Sequence, residues 1–168
     1  MSLYDRFRGR DRDAAAPLYA AVVAAARAEH WYLDGAVPDT LDGRFDMVVA
    51  IVSIVLMRLE DDPEGVAPGV RLTERFIDDM DAQVRQIGFG DMVVGKHIGR
   101  MMAMLGGRLG AYRDGLAGGT IDVALVRNLY RGEAPAPQVV AHVRKSLVAL
   151  RARLQGVPLE ELMAGRLS

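Results

Sequence analysis

Residues 88–112 read as one helical segment, yet that segment carries glycine at 95, 99, 106, 107 and 110. Each interior glycine costs a helix about 1 kcal/mol relative to alanine. A chain of modest size keeps such a series of losses only against an offsetting contact. The spacing names one: Gly95, Gly99, Ala103, Gly107 and Ala111 recur every fourth residue and form a slowly drifting stripe along one side. A stripe without side chains lets a second backbone come close, as small-xxx-small pairs do between membrane helices. Beside it, Lys96, Arg100 and Arg108 follow the same step and make a basic ridge. The pattern is one of binding, not of catalysis.

The remainder of the chain supplies a core for such a helix. Its 168 residues suit one domain that buries its apolar side chains without staples. With 21 Lys and Arg against 22 Asp and Glu, the net charge is −1, so no overall field favours nucleic acid or anionic lipid. The absence of cysteine excludes disulfides, thiolate nucleophiles and zinc–thiolate sites. The longest apolar run, Met47 to Met57 with Ser53 inside it, is shorter than the roughly 20 residues a bilayer span needs and suits a buried core helix. Met1 to Arg10 contains no apolar run that would serve as a secretory signal. These features predict a soluble, cytoplasmic protein.

Helical spacing recurs along the chain. Leu18, Val22, Val23 and Ala26 follow Pro17, which suits a first turn, and this helix is expected to end near Trp31. Asp39 or Thr40 would cap a second helix that contains Phe45 to Leu59. Asp61 to Gly65 and Pro68-Gly69 read as loop. A third helix from Val70 to Ile87 has Leu72, Phe76, Ile77, Met80, Val84 and Ile87 on its apolar face, and Gly88 stands at its C-cap. The glycine-striped helix then returns as a hairpin partner. A short helix from Asp122 to Tyr130 follows. After it come an amphipathic one with Val139, Val140, Val143, Leu147, Leu150 and Leu154, and a last turn from Pro158 to Met163. The fold class is all-α: a single-domain bundle of about five to seven helices over 14–168, preceded by a flexible arm, 1–13.

Catalytic chemistry finds little support. His30, His97 and His142 share no metal-binding spacing. Asp78 and Asp81, one turn apart with His97 across the hairpin, read as a solvated acidic face rather than a metal site. Ser53 and Ser146 lack a nearby base and read as filler. Gly88-x-Gly90 and Gly106-Gly107 lack the preceding strand a phosphate loop needs. Met92, Met101, Met102 and Met104 surround the striped helix; Met101 and Met102 are assigned to the core and Met104 to the binding face. Lys96, Arg100 and Arg108 either face a partner or pair with Asp78-Asp79-Met80-Asp81.

Several ordered stretches carry a resemblance. Trp31-Tyr32, Val37-Pro38-Asp39-Thr40-Leu41-Asp42-Gly43-Arg44-Phe45, Asp79-Met80-Asp81, Gly88 to Lys96, and Gly107-Arg108 with Ala111-Tyr112 resemble the ubiquinol–cytochrome c chaperone family over roughly residues 15–155. Leu105-Gly106 departs from the aromatic pair that relatives carry before Gly-Arg, which would leave a more open groove. The resemblance implies a non-enzymatic assembly factor of the cytochrome bc complex (respiratory complex III). Its client would be a cytochrome b precursor or another hydrophobic helical chain, and mitochondrial relatives work with a small partner protein near the ribosome exit.

The absence of a targeting extension or membrane anchor points to a bacterial form, with contact to the ribosome or inner-membrane surface left open. Client-binding residues would be Gly95, Lys96, Gly99, Arg100, Ala103, Met104, Gly107 and Arg108. No cofactor or metal is expected and no axial haem ligand stands out, with His97 kept open. An all-α enzyme acting on an isoprenoid or quinone is the alternative, but diphosphate chemistry calls for two acidic clusters and only one is present. The arginines of the arm are diluted by Asp5, Asp11 and Asp13, so no specific nucleic-acid site is expected.

Overall fold

The run from Met47 to Leu59 explains the architecture: every residue of it is buried. A helix that is apolar all round is stable only if neighbours cover every side. In the computed structural model, which describes residues 14–86 and 94–167 (side chains excluding 84–86 and 94–98), this helix is the central post. We number the helices α1 (Ala16–Ala26), α2 (Glu29–Leu33), α3 (Leu41–Glu60), α4 (Val66–Gln86), α5 (Val94–Gly118), α6 (Ile121–Asn128), α7 (Pro137–Gln155) and α8 (Leu159–Met163). Helices α1, α4, α5 and α7 all pack on α3, and α6 joins α5 to α7. Among the described residues there is no strand, and none of these helices is long and apolar enough to cross a membrane. The all-α bundle is as expected; two of the eight helices among the described residues are only five residues long.

Local chemistry sets the boundaries. Thr40 caps α3, its side-chain oxygen accepting from the Gly43 N–H at 3.1 Å. Proline opens α1 and α7 in the first turn, where a missing N–H is not needed. The first helix stops at Ala26 rather than near Trp31, and the chain restarts as α2 after Ala28 adopts an extended conformation. Pro68 and Gly69, expected in a loop, lie instead in the first turn of α4. The reason is the same as for the other prolines: the N–H groups of a first turn have no intrahelical acceptor, so Pro68 removes nothing.

Leu72, Phe76, Ile77 and Met80 are buried as the spacing predicts, and so are Val140, Val143, Leu147, Leu150 and Leu154 of α7. Val139 is only half-buried. Val84, Ile87, Gly88, Met92 and the arm 1–13 lie outside the residues whose side chains are described.

Two charged residues, Asp46 and Arg58, bracket the apolar stretch Met47–Met57 and are buried with it. Arg58 donates to the carbonyls of Leu154 (2.8 Å) and Val157 (2.9 Å), at the end of α7, and pairs with Asp62. Ser53 donates to the Val49 carbonyl one turn back, which satisfies a buried hydroxyl locally.

A candidate helix-docking groove

Helices α4 and α5 both pack on α3 and also touch each other. Between them lies a groove of about 490 Å³, floored by Leu56 and Leu59 of α3. Its walls include Val66, Val70 and Ile77 of α4 and Met102 and Leu109 of α5. Val66 is 74% exposed, Val70 54% and Met102 45%. Large apolar side chains left in water next to one another mark a binding surface more often than scattered ones do. Glu60 of α3 and Glu74 of α4 also line it, and Glu60 pairs with Arg113 of α5 at 2.5 Å.

The glycines of α5 extend this groove. Gly106 lies between Met102 and Leu109 on the helix surface, with Gly99 and Gly110 beside them and Ala103 and Gly107 farther round. A methyl group added at Gly99, Gly106, Gly107 or Gly110 would meet no heavy atom within 4 Å. Among the described residues these four glycines are therefore unpacked and form an open flank beside the apolar groove, on which a second backbone can lie close, whereas Ala111 of the stripe is partly buried against the core. Helix α5 is held to the core by its opposite side, through the buried Met101, Leu105 and Tyr112.

The predicted site residues separate accordingly. Gly99, Ala103 and Gly107 are exposed on the open flank, and Arg100 is exposed beyond it. Gly95 and Lys96 fall in the first turn of α5, and the side chains of Lys96 and His97 lie outside the described set. The two methionine assignments are reversed. Met104 is half-buried and packs against the core, whereas Met102 is exposed in the groove wall. The cause is the azimuth of α5: its core side is set by Met101, Leu105 and Tyr112, and Met102 is rotated roughly 100° away from Met101.

Arg108 is corrected more sharply. It faces neither solvent nor the acidic run of α4. Its Nη1 donates to Oδ1 of Asp46, a residue with no solvent exposure, at 2.5 Å, and its guanidinium lies 5.9 Å from the centre of the Phe45 ring. The second Asp46 oxygen accepts from Nε of Arg131 at 2.7 Å, and Arg131 reaches Asp42 at 2.8 Å. The hydrogen bond to Asp46 holds the Arg131 guanidinium even more firmly protonated than usual. This knot ties α3, α5 and the α6–α7 connection together. The sequence carried one signal for it: Asp46 and Arg58 are lone charges at the two ends of an apolar run.

Within the acidic run of α4, Asp78 is exposed and Asp79 is engaged internally. Asp79 accepts from the Tyr19 hydroxyl of α1 at 2.7 Å and from Gln83 at 3.2 Å. Burial, and then the bond to Asp79, raise the Tyr19 pKa above the ordinary tyrosine range. Among the described residues no group of three or more His, Asp or Glu is placed to hold a metal ion. A second hollow, lined by Arg27, Glu29, Tyr32, Leu33, Asp39 and Arg44, is polar. Within it Arg44 donates to Asp39 at 2.6 Å and lowers the Asp39 pKa.

The chain is thus an all-helical bundle with an open apolar groove beside a run of exposed glycines. The family follows from the comparison with known proteins: this chain belongs to the ubiquinol–cytochrome c chaperone family, whose model matches residues 33–168. Its fold is also similar to the crystal structure of the Cbp3 homolog from Brucella abortus, with a TM-score of 0.79 and 28% sequence identity over 97% of this chain and 92% of that one. No curated protein matches the chain significantly. The role of the family is that of an assembly chaperone.

Proposed function

We propose that this protein is a non-enzymatic chaperone that shields an apolar helix of newly made cytochrome b, or of a similar hydrophobic client, during assembly of the cytochrome bc complex. The observation that carries the reading is the open glycine flank of α5 beside Met102 and Leu109. A membrane-spanning segment outside its membrane exposes a continuous apolar surface and aggregates unless covered. The groove offers apolar side chains for that surface. The flank offers a bare backbone, so a client helix rich in small residues approaches closely. Methionine in the wall adapts to clients of differing shape. Arg100 lies beyond the flank, about 160° round the helix from Met102 counted in the shorter sense, and would meet client loops rather than the buried helix itself.

Photo-crosslinking in cells tests this reading. A photoreactive residue at Met102 or Val70 is expected to trap cytochrome b. The same residue at Val123, which is 69% exposed on α6, is expected to trap little. Equal capture from Val123 and Met102, or capture from neither groove position, overturns the assignment.

A further inference from the structure

Two histidines 112 positions apart meet across the fold: Nδ1 of His30 on α2 lies 3.1 Å from Nε2 of His142 on α7. The rings are nearly edge-on, with 72° between their planes and 5.3 Å between centroids. A hydrogen bond between imidazoles needs one N–H and one bare nitrogen. The pair therefore tolerates one added proton but not two, because two imidazolium rings would point N–H groups at each other.

The surroundings make this contact consequential. Behind His30, at 4.1 Å between ring centres, stands Trp31, which is 4% exposed. The following turn is pressed onto α7, where a Cβ on Gly35 would come within 2.7 Å of Val143. The Tyr130 hydroxyl, at the end of α6, donates to the Gly35 carbonyl at 2.6 Å. Asp34 is the carboxylate that acts on His30, and it favours the charged ring. Glu29 on α2 and Lys145 on α7 are exposed, and Arg144 of α7 is matched by Asp122 of α6. Burial, and then His142, nevertheless keep the His30 pKa below the ordinary histidine range.

We propose that the His30–His142 contact is an acid-sensitive latch that fastens residues 29–37 to α7 at neutral pH and loosens them once both rings are protonated. A group whose folded pKa is depressed binds fewer protons in the native state. The stability it contributes is present above the ordinary histidine range and falls as pH drops through and below it. None of the latch residues lines the groove, so the latch is tested without a client.

The single tryptophan of the chain, Trp31, reports on the latch directly. Tryptophan emission and the melting temperature are followed from about pH 7.5 to about pH 5 with and without a chelator, for the full chain and for His142→Gln. Glutamine can pair with either form of His30, so the variant has no doubly charged state. The unaltered protein is expected to shift its emission to the red on acidification. It should also lose about 2 °C or more of melting temperature beyond the loss in the variant. His30 in the variant should titrate closer to its ordinary range by NMR. Should His142→Gln fail to fold, His30→Gln makes the same comparison. Identical pH responses in wild type and variant overturn the latch, as does a response that the chelator abolishes, which would mark a metal-ligand pair instead.

Discussion

Asp46 brings a full negative charge to a position with no solvent exposure and survives there because each oxygen has its own arginine. Removing one side of such an arrangement leaves the other uncompensated, at a cost of about 3–5 kcal/mol for a fully buried pair. Arg131 remains half in water, so the cost of Asp46→Ala is expected toward the lower end, about 3 kcal/mol, measured by urea unfolding. A loss below about 1 kcal/mol would contradict the anchoring role. The same geometry separates two arginines of similar sequence spacing. Arg108→Glu sets two carboxylates together in the interior and is expected to prevent folding, whereas Arg100→Glu should leave the melting temperature nearly unchanged. Reversing acids on α4 is expected not to rescue Arg108→Glu, since its partner is on α3.

Helix α5 stands on three buried side chains rather than on intrinsic propensity. Burying residues of the size of Met101, Leu105 and Tyr112 contributes roughly 1.5–3 kcal/mol each, enough to offset several glycines. Because Gly99, Gly106, Gly107 and Gly110 have helical backbone and open space, alanine at each is expected to raise stability by about 0.4–1 kcal/mol. Leucine at Gly99 or Gly107 should fold normally and weaken client capture by filling the flank. Retained capture in both leucine variants would remove the flank from the binding surface. Gly115 supplies the internal control: a Cβ there would come within 2.8 Å of the Ile121 backbone, so Gly115→Ala should lower the melting temperature. The opposite signs at Gly107 and Gly115, both in α5, are measurable in a single thermal series.

Across the molecule, the tyrosines link packing to alkaline stability. Burial pushes the Tyr130 phenol up to about 12, and the buried Tyr112 and Tyr19 also lie above the ordinary range near 10. Each folded phenol thus keeps a proton that the unfolded chain has lost above pH 10. Stability from these groups is complete below the unfolded value and falls as pH rises through the folded ones. The expected result is that phenolate absorbance of these three tyrosines appears together with loss of helical circular dichroism, instead of near pH 10. Full ionisation of the intact fold near pH 10 would show that the hydroxyls are accessible.

The sequence by itself determined the helical class, the central helix and most of the core of α4 and α7, because residues three and four apart share a helix face whatever surrounds them. It also determined that α5 carries a side-chain-free stripe. Only the tertiary structure decided what that stripe faces, since periodicity gives the relative azimuth of residues but not which side neighbours will cover. Hence Met102 and Met104 exchange places, and Arg108 turns inward to Asp46. The His30–His142 pair and the Asp46 knot join residues 62 to 112 positions apart, separations that leave no mark in local spacing. The Asp46 knot exists because α3 is buried on every side, which forces a charge at its end to find partners on whichever elements cover it.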